Sequence, residues 1–376
     1  MKTDLTLHER TVSLHRFPHH THQTLQAWDA GDEYIINHIE SLNLDNGKHI
    51  LLLNDNFGAL GCWFSEHHKV SSISDSYIAH QATSANLKQN HCRSICLLNS
   101  LQKIPADVDY VLMQIPRNNR FLAWQLTQLR AQLDRTVPVI AVNKAKEIHS
   151  TTLKIFEKYL GSTKTSLAWK KHRLVFCTAD SDPIHCAAPK TSWHLDQHSF
   201  SLDNLPNVYA GEKLDLGARF MLEHLPKNLD KKRIIDLGCG NGVLSVKLGK
   251  INPLAHLTCV DESFMAVESA KQNLASTLGT ERAFKAVVNN CLDGFEQACA
   301  DLVVCNPPFH QQQAITDHIA WQMFCDAKHV LSIGGKLLVI GNRHLGYDGK
   351  LSKLFGKPNV KLVASNNKFV ILQATK

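Results

Sequence analysis

At 376 residues, 44% apolar and 20% charged, the chain exceeds one ordinary domain and suits two of roughly 150–200 residues, each with its own core. No run of about 18 uninterrupted apolar residues is present, and the first residues lack the apolar core of a signal peptide, so the expectation is a globular, cytoplasmic protein with no membrane contact. The net charge of +7 is mild, but residues 101–175 hold 13 Lys and Arg against five acids, whereas residues 1–100 hold seven against ten. A basic middle stretch suits a polyanionic partner such as RNA; the competing reading is a set of ordinary solvated helix faces.

In chain order, the histidines at 15, 19, 20 and 22 lack a matching Cys or carboxylate set, so they read as a solvated segment and no metal is expected. His49–Asn54 is a buried-strand run that ends at a turn containing Gly58. A helical stretch follows, then Ser72-Ile-Ser-Asp75, a strand ending in an acid, and an amphipathic helix closing on Asn86-Leu87. Asp109–Pro116 is a further strand that ends at a proline. Residues 178–207, with their Pro, Ser and Asp, read as the connection between halves, and the boundary is placed at about 195.

The second half repeats the outline. Arg233–Leu237 is a strand leading into the loop Gly238–Gly242. Thr258–Asp261 is the strand ending in an acid, the next helix closes on Asn273-Leu274, and Asp301–Pro308 ends at a proline. Strands alternating with helices of ten to fifteen residues give an α/β fold: two tandem Rossmann-like domains with parallel, doubly wound sheets. They span residues 1–195 and 196–376. The eleven cysteines, including Cys239 and Cys305, read as small buried residues rather than ligands or nucleophiles.

Chemistry concentrates in the second half. Asp236 ends the first strand, and the loop after it spells Gly238-x-Gly240-x-Gly242. That spacing departs from the dinucleotide fingerprint and favours a nucleoside-like ligand without pyrophosphate. Asp236 is placed for the amino-acid end of S-adenosylmethionine. Asp261 is placed for the ribose hydroxyls, with a helix N-cap as its structural role. Asn290, with Asn289 as the lesser candidate, falls at the third strand end, where the adenine edge or a simple turn are both open readings.

Asn306-Pro307-Pro308-Phe309 is the sharpest signal. The Asn306 side-chain oxygen and the Pro307 carbonyl can both accept from one exocyclic NH2. The prolines stiffen the loop, and Phe309 offers a face for stacking. The first half offers Gln114–Arg117 at the clamp position and one glycine in the Asn54–Gly58 loop, where Phe57 would block approach of an adenosyl ligand. The N-terminal copy therefore reads as degenerate, kept for RNA recognition or structure.

At these motifs the chain resembles the class I S-adenosylmethionine-dependent methyltransferases of the (Asp/Asn)-Pro-Pro-(Tyr/Phe) type. Within them it is similar to the two-domain bacterial ribosomal RNA guanine-N2 methyltransferases, and nearest to the large-subunit RlmG family. That likeness rests on Leu205–Gly217, Trp28–Tyr34, Asn54–Ala59, Ile73–Tyr77 and Leu167–Lys171. The resemblance implies methylation of the 2-amino group of a guanine in 23S rRNA. It further implies that Asp236, Gly238, Gly240 and Asp261 hold the cofactor while Asn306 to Phe309 hold the base. Lys170, Lys171 and Arg173 stand as candidate RNA contacts, as does Arg343 of Asn342–Leu345, and a monomer is expected. The alternatives are a small-subunit (16S) guanine-N2 enzyme, a protein glutamine methyltransferase, and a non-catalytic RNA-binding assembly factor.

Overall fold

The computed structural model describes residues 2–19, 25–179, 191–195, 197, 199–308 and 313–376, with only the backbone of 313–317. The chain divides into two compact units, Met1–Pro189 and Lys190–Lys376.

The first unit opens with a hairpin, β1 (Asp4–Leu7) and β2 (Arg10–Ser13), followed by α1 (Ala30–Ser41), β3 (His49–Leu53), α2 (Ala59–Phe64), β4 (Lys69–Ser74) and α3 (Tyr77–Gln89). Then come β5 (Cys96–Asn99), β6 (Tyr110–Gln114), α4 (Asn119–Gln132), β7 (Val139–Lys144), α5 (Ser150–Tyr159), β8 (Thr163–Thr165) and β9 (His172–Cys177). Seven of these strands form a sheet of order β5-β4-β3-β6-β7-β9-β8.

The second unit repeats the series: hairpin β10 (Thr191–Leu195) and β11 (Phe200–Asn204), then α6 (Leu216–Leu222), β12 (Arg233–Leu237), α7 (Val243–Ile251), β13 (His256–Asp261) and α8 (Phe264–Leu278). It continues with β14 (Phe284–Val288), β15 (Ala300–Cys305), α9 (Gln313–Val330), β16 (Leu331–Asn342), α10 (Tyr347–Phe355), β17 (Val360–Ser365) and β18 (Phe369–Thr375). Its sheet runs β14-β13-β12-β15-β16-β18-β17, the same order element for element.

The central strands are continuous apolar runs because helices cover both sheet faces. Every residue of His49–Leu53 is buried, as are the last four of Arg233–Leu237. The sheets are not wholly parallel: β9 pairs antiparallel with β7 and β8, and β18 with β16 and β17. In the second sheet the strand order turns back between β12 and β15, which opens a crevice at their carboxyl ends.

The hairpins are a correction to the sequence reading. Thr191–Leu195 and Phe200–Asn204 lie inside the stretch taken as a connection, yet they form β10 and β11 and belong to the second unit. The helices also run past the Asn-Leu pairs, and those asparagines sit inside them as ties. Asn86 Nδ2 donates to the carbonyls of His15 and Phe57, both at 2.8 Å, while its Oδ1 accepts from the His15 N–H at 3.0 Å. Asn273 Nδ2 donates to the carbonyls of Asp203 and Asn241, both at 2.9 Å, and its Oδ1 accepts from the Asp203 N–H at 2.8 Å. Each asparagine thus joins its unit's hairpin to the loop after the first sheet strand, satisfying buried backbone groups on both sides.

Candidate functional site

Asp236 lies one residue before the end of β12 and is buried. Its Oδ2 accepts from the Ser245 N–H at 3.1 Å and hydroxyl at 2.7 Å in the first turn of α7. Its Oδ1 is buried with no partner among the described residues. Burial pushes this carboxyl up to about 6 and the Asp261 charge adds to the rise, while the Ser245 bonds pull it down. A buried acceptor left open beside a crevice suits a cationic donor brought by a ligand.

The loop that follows has all three glycines at positive φ: 74° at Gly238, 54° at Gly240 and 79° at Gly242. At Gly242 the obstacle to a side chain is the protein itself, since a Cβ there would lie 2.9 Å from Ala270 Cβ of α8. A Cβ on Gly240 would meet nothing within 4 Å, so that glycine borders open space where a ligand can approach the backbone.

Asp261 ends β13 and holds the loop directly, its Oδ2 accepting from the Gly240 N–H at 2.9 Å and its Oδ1 from the Ser263 N–H at 3.0 Å. The expected N-cap role is corrected: α8 is capped by Ser263, whose hydroxyl oxygen accepts from the Ala266 N–H at 3.1 Å. A carboxylate at this strand end offers the acceptor chemistry that a pair of ribose hydroxyls requires. Past β14, Asn289 Nδ2 is spent on the Asp293 carbonyl at 2.7 Å. Asn290 is buried in the same turn, its carbonyl accepting from the Asp293 N–H at 3.1 Å.

The clamp follows β15, which pairs in parallel with β12, so Asn306 emerges beside the glycine loop. Asn306 Oδ1 is buried with no partner among the described residues, and its Nδ2 donates to Asp215 Oδ2 at 3.4 Å. Pro307 is buried and Pro308 exposed, whereas Phe309 lies outside the described residues. Asp215 is the N-cap of α6: its Oδ2 also accepts from the Ala218 N–H at 2.9 Å, and its Oδ1 accepts from the Tyr209 hydroxyl at 3.3 Å. Asp215 and Tyr209 were legible only as members of a family-like segment; the link to Asn306 spans four strands and three helices of chain.

Sheet register fixes what the first unit carries at the same places. Leu53 pairs with Ile73 and Met113, as Leu237 pairs with Val260 and Cys305. Leu52 therefore stands for Asp236, Ser74 for Asp261 and Gln114 for Asn306. The acid counterpart read as Asp75 is one residue too late. Ser74 takes the local role alone, its hydroxyl accepting from the Ser76 N–H at 3.1 Å, and Asp75 turns to the Ser100 hydroxyl.

The turn itself survives, with Asn54 at φ 63° and Gly58 at φ 79°. Phe57 does not block it; the ring packs on the core and lies 4.7 Å beneath the Arg16 guanidinium. Asp55 is what fills it: Oδ1 accepts from the N–H groups of Gly58 and Ala59 at 2.9 and 3.1 Å, and Oδ2 from that of Gly61 at 2.9 Å. A cavity beside these strand ends, lined by Leu53, Ile73, Ser100 and Trp124, has a volume of about 10 Å³, room for a single water.

Lys170 and Lys171 form the two-residue tip between β8 and β9, closed by reciprocal 2.8 Å bonds between Trp169 and His172. Both lysines sit at positive φ, 43° and 65°. Lys170 Nζ is 2.7 Å from Glu33 Oε2 and lies 4.5 Å above the Trp169 ring, so its charge is partly spent, while Lys171 is exposed. Arg173 is half-buried in β9. Arg343 is exposed just past β16, with Nη1 on the Asn366 carbonyl at 3.0 Å. Among the described residues no group of three or more His, Cys, Asp or Glu could hold a metal, and no helix is long and apolar enough to cross a membrane. His20 and His22 lie outside the described residues.

Two family models match, "RLMG N-terminal domain" over residues 2–181 and "Methyltransferase small domain" over residues 199–373. A Vibrio campbellii protein named Ribosomal RNA large subunit methyltransferase G is 64% identical over 376 residues, covering 100% of this chain and 98% of the relative. The protein of that name from Vibrio vulnificus (strain YJ016) is 63% identical and covers 100% of both, and that from Vibrio cholerae (O395) is 61% identical over the same full span. Among solved structures, the Thermus thermophilus 16S rRNA N2 G1207 methyltransferase, determined with AdoMet and guanosine, aligns with a TM-score of 0.78. It covers 100% of this chain and 97% of its own at 18% identity, a likeness of fold.

Proposed function

The chain belongs to the ribosomal RNA large subunit methyltransferase G family, and on that premise we propose that it moves a methyl group from S-adenosylmethionine to the exocyclic N2 of one guanine in large-subunit (23S) ribosomal RNA. The observation that carries this reading is that, of the buried acceptors without partners among the described residues, two, Asp236 Oδ1 and Asn306 Oδ1, lie at the carboxyl ends of the adjacent central strands β12 and β15. Two such atoms are costly in an empty fold and fit two donors that arrive with ligands. S-adenosylmethionine supplies a sulfonium methyl group open to direct displacement. Asp236 receives its ammonium, Asp261 its ribose hydroxyls, the backbone at Gly238–Gly242 its close approach, and Asn290 the adenine edge.

On the substrate side, the amino lone pair of guanine is delocalised into the ring. Asn306 Oδ1 accepts one N2–H and the Pro307 carbonyl the other. Holding both bonds lets the nitrogen leave conjugation and turn its lone pair toward the methyl group. The two prolines keep the acceptors in place beforehand, and Phe309 stacks on the base. The work is positioning, so no strong general base is required; the proton on the methylated nitrogen is acidic and leaves to solvent.

The first unit, with its ligand loop filled by its own Asp55, serves RNA recognition. The tip Lys170–Lys171 supports this: two lysines occupy a turn that favours Asn-Gly, and strain of that kind is kept where the side chains have work to do. Arg173 and Arg343 are secondary contacts, and the protein acts in the cytoplasm as a monomer. The small-subunit alternative is not favoured, since the 16S enzyme shares the fold at 18% identity against 61–64% for the large-subunit relatives.

The test is mass analysis of ribosomal RNA digests from a strain lacking the protein. One N2-methylguanine should disappear from large-subunit RNA, return with the intact chain and stay absent with Asn306→Ala. An unchanged digest would sink the proposal, and a loss confined to small-subunit RNA would restore the alternative.

A further inference from the structure

An asparagine amide has two ends of nearly equal size and opposite chemistry, so a clamp that must accept hydrogen bonds needs something to choose which end faces the substrate. At Asn306 that choice is made by Asp215. An ionised carboxylate only accepts, so the contact between Asn306 Nδ2 and Asp215 Oδ2 at 3.4 Å must use the NH2 end. The carbonyl end is thereby left as the buried, unpartnered acceptor.

Asp215 is itself fixed at both oxygens. The Ala218 N–H at the start of α6 holds Oδ2 at 2.9 Å, and the Tyr209 hydroxyl holds Oδ1 at 3.3 Å. Burial and the Asp215 charge push the Tyr209 phenol up to about 12, which keeps it a donor. Gly217 keeps the gap clear, since a Cβ there would stand 3.0 Å from Asp215 Oδ2 and 3.7 Å from Asn306 Oδ1. A negative partner on the NH2 end also draws electron density toward Oδ1 and strengthens it as an acceptor.

We infer that Asp215 is a positioning residue for methyl transfer, holding the Asn306 amide so that the site grips an amine donor and rejects an acceptor at the same spot. This rests on the proposed clamp role of Asn306. Asp215→Asn is the decisive variant because asparagine caps helices as well as aspartate, so α6 should stand. Its new amide can donate to Asn306 Oδ1 and allow the clamp to turn either way.

The experiment measures single-turnover methylation by the full chain, with labelled S-adenosylmethionine and large-subunit RNA from the deletion strain. Expected results are a rate about tenfold or more lower in Asp215→Asn, an unchanged KM for S-adenosylmethionine and an unchanged melting temperature. Tyr209→Phe should give a smaller loss in the same direction. In an Asn306→Ala background Asp215→Asn should cost nothing further, because the two act as one unit. A wild-type rate in Asp215→Asn, or a full additional loss on top of Asn306→Ala, would overturn the inference while leaving the clamp intact. Full activity in Asn306→Ala alone would instead remove the clamp reading and this inference with it.

Discussion

The two units share a hairpin, an equivalent series of elements and one sheet order, and they part company along a single edge. What both keep is scaffolding: the asparagine tie at 86 and 273, and the left-handed glycine at 58 and 242, where a Cβ would strike Thr83 or Ala270. What differs faces the crevice: Leu52 against Asp236, Asn56 against Gly240, Ser74 against Asp261 and Gln114 against Asn306. Gln114 still meets a carboxylate, but its Nε2 donates at 2.6 Å to Asp32, the third-position member of the α1 capping box, rather than to the N-cap residue itself. Burial and the neighbouring Asp29 and Asp55 hold Asp32 well above the usual carboxylate range. On the proposed function, the residues that carry the fold and those assigned to the ligand are therefore separate sets, and the two units differ in the second set alone.

This separation can be broken experimentally, and the largest effect is expected at the clamp. Asn306→Ala should lower the methylation rate by about a hundredfold or more with cofactor affinity intact; calorimetry beside single-turnover rates checks both halves of that statement. Next comes Asp261→Ser, which installs the side chain found in the first unit. It removes two charge-assisted acceptors and should weaken cofactor binding by about tenfold to a hundredfold, and titration calorimetry reads the loss.

A third effect is pH. Because burial pushes the Asp236 carboxyl up to about 6, protonation below that value should remove the charge proposed to pair with the cofactor's ammonium. Affinity should fall up to about tenfold per pH unit below 6, with proton release on binding in that range. Its own contribution to stability runs the other way. The folded value is raised above the unfolded one, so that contribution is complete below about 4 and is lost as pH rises through 6. Asp236→Asn should flatten both curves, and an affinity profile that keeps its slope in the variant would reassign the titrating group.

The smallest effect is at the hairpin tip. Removing the Lys171 charge should weaken RNA binding modestly and lower the salt slope by about 1, with Lys170→Ala doing less because Glu33 already holds it. Filter binding across a salt series distinguishes them.

Much of this was legible in the sequence. The strands on either side of both loops are long enough and apolar enough to announce a buried sheet, and three glycines in five residues demanded positive φ. Register was harder: an acid one position past a strand end looks like a strand-ending acid, so Asp75 was matched to Asp261 when Ser74 holds the place. Direction of side chains was harder still. Phe57 has the bulk to block a loop but turns to the core, and Asp55, two residues earlier, fills it through backbone donors. The hairpin at 191–204 hides because its alternation is short and set among turn formers, and the Asp215–Asn306 contact hides because nothing local connects a helix cap to a distant strand end.

The most direct measurement is titration of the full chain with S-adenosylmethionine by calorimetry, for wild type and for Asp261→Ser. One site per chain is expected in the wild type and a weakened one in the variant, all of it belonging to the second unit. Two sites per chain, or one whose affinity is indifferent to Asp261, would contradict the division of labour between the two copies.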